Sequence, residues 1–258
     1  METKELWQNW SLEKEYGELF YKRATGQLPE MESSKSVAKL LKDYYQPGMT
    51  LLDARCGAGH YKRRLERVLD ENISYTGMDP TAYYLELGKK AFKDGALFKE
   101  GSILDIPFAS GAFDLVMCNN VVMHLPPEKI QIAFSELTRV TKSTLVIRAL
   151  FGVRNYITRE VLETKDFDKG DNSGETYSEL NLLNSKFRYF NMYTEDFYTG
   201  LLHPLEGVSE FSFQKDIDWE SFDNTNETNI KSATKTLGSL QISGNLILDW
   251  RYIIVRKG

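Results

Sequence analysis

Cysteine is scarce in this sequence: only Cys56 and Cys118 occur among its 258 residues, too few for the disulfide framework of a small secreted protein. Apolar runs are short as well, and none reaches the roughly 18 residues that a membrane-spanning helix requires. The first residues also lack the apolar core of a signal peptide. Together these absences predict a cytoplasmic protein with no membrane partner.

Metal-binding patterns are missing too. The three histidines are scattered, and with two cysteines they give no zinc-site spacing. Residues 166–177 resemble a calcium-binding loop, but Asp171 stands where that loop needs glycine and Tyr177 where it needs glutamate. The formal net charge of −5 argues against a broad surface for phosphate groups. The sequence therefore predicts no metal site and no nucleic-acid partner.

Between residues 50 and 150 the sequence alternates short apolar runs with amphipathic helical patterns. The near-continuous apolar character of the runs suits strands that are buried on both faces. Strands that alternate with helices indicate an α/β fold with a doubly wound parallel sheet and helices on both faces. The predicted strands are Thr50–Ala54, Ile73–Met78, Ala96–Lys99, Phe113–Cys118 and Thr144–Leu150.

The segments before and after this core, which we take as residues 47–151, have patterns of their own. Residues 1–46 show helical periodicity at 4–24 and 35–45, and we expect these helices to cover the active site. Residues 152–193 are rich in aromatic and arginine side chains without clean alternation, which predicts a substrate cap inserted after the fifth strand.

Residues 194–258 are predicted to complete the same sheet, so that the chain forms a single domain. A helix is expected at 194–203, followed by strand-like stretches at 208–222 and 244–256. A polar loop at 224–240 joins these stretches, and we place Asn245 to Val255 inside the sheet.

A glycine loop with Gly57 and Gly59 follows the first strand, and the residues around it restrict its ligand. A dinucleotide fingerprint would have a third glycine where Lys62 stands, and no phosphate-loop pattern follows. The carboxylate of Asp53, just before the loop, would repel a pyrophosphate but suits a ligand with a positive charge. Asp79 lies about twenty residues beyond Gly59, where a carboxylate holds the hydroxyls of a ribose. The pattern predicts a nucleoside with a cationic tail that has no phosphate.

Four segments resemble, in order, the motifs of the class I S-adenosylmethionine-dependent methyltransferases. These segments are Leu51–Tyr61, Tyr75–Pro80, Gly101–Phe108 and Phe113–Leu125. The resemblance covers residues 50 to 150. It implies a Rossmann-like sheet of seven strands, parallel except for an antiparallel last strand, and S-adenosylmethionine as the cofactor.

The resemblance also implies roles for individual residues. Asp53 and the backbone of Arg55, Cys56 and Gly57 would face the methionine moiety, and Asp79, followed by Pro80, would bind the ribose. Ser102, where the family usually has aspartate, would accept a hydrogen bond from the adenine amino group. Ile103 would offer its backbone N–H to the adenine ring, and Asn119 would close the site from the fourth strand.

Two residues leave alternatives open. The family usually has glycine where Arg55 stands, and this side chain could turn outward, reach the cofactor carboxylate or block the site. His124, near the predicted active edge, is the candidate catalytic residue as a general base, the alternative being a packing and capping residue. His60 and His203 are expected to be ordinary surface or helix-end residues.

The function predicted from this resemblance is methyl transfer from S-adenosylmethionine to an O or N atom of a small-molecule acceptor. The Asn-Pro-Pro-aromatic motif typical of nucleic-acid amino methyltransferases is absent, because Asn119-Asn120-Val121 stands in its place. The alternative is a non-catalytic or degenerate methyltransferase fold with an altered cofactor site. The oligomeric state is left open.

Overall fold

A computed structural model describes residues 14–163, 186–216, 230–237 and 240–258. The first part of the predicted N-terminal helix and the rejected calcium loop at 166–177 lie outside the described residues.

The described residues form eleven strands, seven of which belong to one sheet. The strands are β1 (Thr50–Ala54), β2 (Ser74–Asp79), β3 (Leu97–Glu100), β4 (Phe113–Asn119), β5 (Thr141–Phe151), β6 (Arg159–Glu163), β7 (Lys186–Tyr189), β8 (Val208–Lys215), β9 (Ile230–Leu237), β10 (Leu240–Ile247) and β11 (Asp249–Lys257). The order in the main sheet is β3-β2-β1-β4-β5-β11-β8. The last strand, β11, runs antiparallel to both of its neighbours, whereas the pairs from β3 to β5 are parallel. This confirms the predicted seven-stranded sheet.

The described ranges also contain six α-helices: α1 (Lys14–Ala24), α2 (Glu32–Leu41), α3 (Lys62–Val68), α4 (Ala82–Phe92), α5 (Ile130–Val140) and α6 (Glu195–Leu202). Short 3-10 turns occur at Lys93–Gly95, Val122–His124 and Pro127–Lys129. In the sheet, β2 lies beside β1 and β3 lies beside β2, whereas β4 lies on the other side of β1. Such a switch point opens a crevice at the carboxyl ends of the strands, where α/β folds bind their ligands.

The hydrophobic core lies on both faces of the sheet. Leu52 packs in one cluster with Phe134 of α5, and Leu51 packs in a second cluster with Leu41 of α2 and Leu65 of α3. Successive side chains of a strand point to opposite faces, so β1 must be apolar at both positions. This explains the continuous apolar run that marked the strand in the sequence.

Two predictions for the later part of the chain need correction. The stretch read as a polar loop at 224–240 contains β9, which pairs antiparallel with β10 in a separate two-stranded sheet. Asn245 to Ile247 belong to β10, so the placement of Asn245–Val255 inside the main sheet was wrong for these residues and correct from Asp249 onward. Threonine and isoleucine favour extended backbone even when the composition is polar, which the loop interpretation overlooked.

The described part of the predicted cap contains a second antiparallel pair, β6 with β7. The division of the chain at residues 46, 151 and 193 remains a prediction.

Candidate active site

A cavity of about 290 Å³ lies at the carboxyl ends of β1, β2 and β4. Side chains of α1 form its outer wall, and the loop after β1 forms its floor. Of the predicted site residues, Arg55, Gly57, Asp79, Asn119 and His124 line it. The fold therefore brings together residues that are far apart in sequence, at the switch point of the sheet.

The loop after β1 is held against β2 by its own backbone. The N–H groups of Arg55 and Cys56 both donate to the carbonyl oxygen of Met78, at 2.6 and 3.0 Å. The N–H of Gly57 donates to Oδ2 of Asp79 at 3.1 Å. These three donors are thus used within the protein, and the loop contributes a fixed shape to the site. Gly57 is needed there because its φ is +57° and a Cβ would lie 2.8 Å from the ring of Phe20.

Asp79 ends β2 and is 4% exposed. Its Oδ2 accepts from Gly57, and its Oδ1 accepts from the N–H of Thr81 at 3.0 Å. A carboxylate oxygen can accept more than one hydrogen bond, so each oxygen retains the capacity to accept another. Two such acceptors at fixed positions suit the two hydroxyls of a ribose.

Asp53 lies deeper than the cavity wall. Its Oδ2 accepts a hydrogen bond from the hydroxyl of Tyr75 at 2.7 Å. Burial raises the pKa of this carboxyl to about 7, against the opposing effect of the Tyr75 hydrogen bond, and the nearby charge of Asp79 adds to the rise. Asp53 does not line the cavity, and its role toward the methionine moiety stays a prediction.

The raised pKa predicts a pH-dependent stability. Between the ordinary carboxyl value of 3.8 and the folded value of about 7, the folded protein retains a proton that the unfolded chain releases. The contribution of Asp53 to the free energy of unfolding therefore falls as the pH rises through this window. We expect Asp53→Asn, which cannot ionise and can still accept from Tyr75, to raise the free energy of unfolding at pH 8 by about 1–4 kcal/mol, with little gain at pH 4. Urea denaturation at both pH values measures this.

Asp114 provides the matched control for that experiment. The backbone of Thr50 lowers the pKa of this carboxyl by hydrogen bonding, so its ionised form is favoured in the folded protein. Asp114→Asn should therefore bring no gain at pH 8. An equal gain for Asp53→Asn at both pH values would show that burial of the charge is not the cause.

Three buried side chains on the cavity wall have polar atoms with no hydrogen-bond partner among the described residues. They are Nδ1 of His60, Oγ1 of Thr81, and both Oδ1 and Nδ2 of Asn119. A buried polar group without a partner costs free energy, so native structures rarely leave one unpaired. Their convergence on one cavity indicates a ligand with several hydrogen-bonding groups, as a nucleoside with an amino-acid tail has.

His60 is not the surface or helix-end residue that we expected, because it is 7% exposed. Its ring stacks on Phe20 of α1, with centroids 4.5 Å apart and planes 9° from parallel. Burial, and secondarily the charge of Arg23, lower its pKa to about 3, so the ring is neutral at physiological pH. In the sequence, the position of His60 directly after the glycine loop was the one sign that it belongs to the site. Its burial depends on α1, which covers the ring.

Arg55 faces the cavity and has a φ of +73°, a conformation that glycine adopts at little cost. Its positive charge acts on the buried thiol of Cys118 in β4 and opposes the rise that burial causes in the pKa of that thiol. The side chain of Arg55 makes no hydrogen bond or ion pair with any residue that the structure describes. Arg55 thus lines the cavity, and whether its side chain reaches the cofactor carboxylate or blocks the site stays a prediction.

The remaining predicted cofactor residues do not line the cavity. Cys56 and Ile103 are buried in the core, and Pro80 follows Asp79 at the end of β2. The Oγ of Ser102 accepts from the backbone N–H of Leu104 at 3.2 Å. The roles of these four residues stay predictions.

His124 lines the cavity in the 3-10 turn after β4. Its Nδ1 lies 2.7 Å from the carbonyl oxygen of Tyr189. Because a carbonyl oxygen only accepts, Nδ1 must carry the proton, which makes Nε2 the basic nitrogen of the neutral ring. This orientation is compatible with a general base and with a packing residue, so the catalytic role stays a prediction.

A second cavity, of about 430 Å³, adjoins the first and shares Arg23, Met31 and Asn120 with it. One wall is a buried polar network centred on Arg148, whose Nε donates to Oδ2 of Asp216 at 2.8 Å. The same guanidinium donates to Oδ1 of Asn120 at 2.5 Å and stacks on the ring of Trp250. The site thus has two adjacent chambers with Arg23 at their junction.

Within the described ranges, no cluster of three or more histidine, cysteine, aspartate or glutamate residues could hold a metal ion. None of the helices in those ranges is both long and apolar enough to cross a membrane.

Residues 51–144 match a family model described as a methyltransferase domain. A sterol 24-C-methyltransferase of Gibberella zeae is 26% identical over 131 residues, which are 48% of this chain and 32% of the relative. A demethylmenaquinone methyltransferase of Staphylococcus aureus is 28% identical over 107 residues, 40% of this chain and 44% of the relative. The chain thus spans less than half the length of these curated relatives.

Solved structures show the same fold over most of the chain. The 1,6-didemethyltoxoflavin-N1-methyltransferase of Burkholderia thailandensis, with 1,6-didemethyltoxoflavin and S-adenosylhomocysteine bound, superposes with a TM-score of 0.54 at 12% identity. That match covers 96% of this chain and 87% of the other. Magnesium protoporphyrin IX methyltransferase from Synechocystis, with S-adenosylmethionine bound, gives a TM-score of 0.51 at 14% identity, covering 88% and 79%.

Proposed function

We propose that the chain is a class I S-adenosylmethionine-dependent methyltransferase, which transfers a methyl group from S-adenosylmethionine to an O or N atom of a small molecule. The match of residues 51–144 to a methyltransferase-domain model supports this proposal. The observation that carries the proposal is the convergence of the Asp79 carboxylate with unpartnered atoms of His60, Thr81 and Asn119 on one cavity. These groups supply acceptors and donors for a ribose and for an amino-acid tail.

The cofactor, when bound, supplies an electrophilic methyl group, so the protein has mainly to bind, orient and exclude water. Asp79 would accept from the ribose hydroxyls, and the amide of Asn119 would donate to and accept from the methionine moiety. Phe20 of α1 closes over Gly57 and His60 and would keep water from the reacting atoms. His124 would be needed as a base only if the accepting atom carries a proton at neutral pH.

A small molecule is the acceptor class that the second cavity supports, since about 430 Å³ lies in the usual range of small-ligand pockets. The relatives are named for a sterol and for demethylmenaquinone, which are not polymers. The negative net charge argues against nucleic acid as the acceptor. We place the reaction in the cytoplasm because the sequence has only two cysteines.

Calorimetric titration of the wild-type protein with S-adenosylmethionine and S-adenosylhomocysteine tests the proposal. We expect binding with a dissociation constant in the range of about 1 to 100 μM, which corresponds to roughly 5–8 kcal/mol. Absence of binding at millimolar concentration would contradict it.

A second candidate function is that of a methyltransferase fold that has lost its cofactor. One observation favours it: Arg55, a bulky residue, occupies a position with a positive φ. Two variants separate the candidates. If the wild type binds the cofactor, we expect Arg55→Gly to weaken binding about tenfold through loss of the unpartnered guanidinium, and Arg55→Lys to weaken it less. If Arg55 blocks the site, the wild type does not bind and Arg55→Gly restores binding. The same titrations report both outcomes.

A further inference from the structure

The charged side chains that line the second cavity are paired, with one exception. The paired groups are Arg148 with Asp216, Glu30 with Arg67, and Glu32 with Lys35. Because these charges are already paired, none of them needs a counter-ion from a ligand. The exception is Arg23, in the last turn of α1.

Arg23 makes no ion pair and no hydrogen bond through its side chain with any residue in the described part of the chain. Its guanidinium interacts electrostatically with Tyr61 and His60, neither of which is a carboxylate. Burial lowers its pKa, as expected for a cation that has lost water and gained no counter-ion. A partly buried charge without a partner is costly, and a bound anion would remove that cost.

The position of Arg23 links it to the reaction. It borders both cavities, so its charge lies where an acceptor in the second cavity would meet the methyl donor in the first. Leu28, Pro29, Met31 and Trp250 give the second cavity an apolar part, beside the paired charges, Ser33 and Asn120. A ligand that fits this surface has an apolar body and one anionic group at the end nearest the cofactor.

We propose that the second cavity is the acceptor site and that the acceptor is an apolar carboxylate whose anionic group pairs with Arg23. This inference rests on the proposed function and adds the chemical class of the acceptor to it. The Arg148–Asp216 pair, already neutral and stacked on Trp250, forms a wall of the site and does not compete for the carboxylate.

The test compares matched carboxylates and carboxamides. The probes are 2-naphthoate and phenylacetate, each with its neutral amide, titrated by calorimetry into protein saturated with S-adenosylhomocysteine. We expect at least one carboxylate to bind the wild type about tenfold more tightly than its amide, and this ratio to fall to about twofold or less in Arg23→Gln. Lys22→Gln removes the same charge from an exposed neighbour on α1 and should leave the ratio unchanged.

Failure to bind either carboxylate, equal binding of acids and amides, or a ratio that survives in Arg23→Gln would overturn the inference. Melting temperatures of both variants show that they remain folded. If S-adenosylhomocysteine binds but the acids are not preferred, the inference fails while the proposed function stands. If S-adenosylhomocysteine does not bind, the proposed function fails, and titration of the ligand-free protein still shows whether Arg23 selects carboxylates.

Discussion

Asp79→Asn should lower the affinity for S-adenosylhomocysteine by about 10- to 100-fold, because a hydrogen bond to a charged group contributes roughly 1.5–3 kcal/mol. The wild-type carboxylate is 4% exposed and is oriented by the N–H groups of Gly57 and Thr81. A neutral amide has one acceptor oxygen in place of two and cannot satisfy both backbone donors and both ribose hydroxyls. The variant therefore loses acceptor capacity and charge together.

Calorimetric titration of the wild type and the variant measures this effect. Glu86→Gln, an exposed site on the adjoining helix α4, removes the same charge and should leave the affinity unchanged. A melting curve of Asp79→Asn confirms that the protein is folded at the temperature of the titration. A variant that binds within twofold of the wild type would show that Asp79 does not hold the ligand.

Asp216→Ala should destabilise the protein by about 3–5 kcal/mol, because it leaves a buried arginine without its counter-ion. Arg148 is 4% exposed, and its guanidinium donates to Asp216 from both Nε and Nη2, at 2.8 and 2.5 Å. Asp216 also accepts from the hydroxyl of Ser36 in α2, so the substitution removes a hydrogen bond to this helix as well. Urea denaturation gives the change in the free energy of unfolding.

Two controls separate the buried charge from other effects. Lys142→Ala removes one partner of the exposed pair with Asp114, and we expect it to cost less than about 1 kcal/mol. The double variant Arg148→Met with Asp216→Leu removes both buried charges and should recover much of the loss. If Asp216→Ala cost no more than Lys142→Ala, the buried pair would have no special role in stability.

The sheet could be predicted from the sequence because its signals are local. The strand Thr50–Ala54 has the same bounds in the structure as in the prediction. Its apolar run, the turn before it and the glycines after it are all contained within a dozen residues. The switch point then follows from the strand order, and with it the proximity of Asp79 and Asn119.

The second cavity could not be predicted from the sequence, and neither could the packing of α1 over the first cavity. Both depend on contacts between distant segments. Nothing near Arg23 in the sequence shows that it lines one cavity with His60, or that Phe20 stacks on that ring. The pairing of Arg148 with Asp216 joins residues on β5 and just after β8, which become neighbours only through β11. Periodicity reveals which face of an element is buried, but it does not reveal what covers that face.

A crystal structure of the protein with S-adenosylhomocysteine tests the central claim most directly. We predict density for the nucleoside at the carboxyl ends of β1 and β2, with both ribose hydroxyls within hydrogen-bonding distance of the Asp79 carboxylate. Density for the nucleoside at another place, or none at a saturating concentration, would contradict the claim.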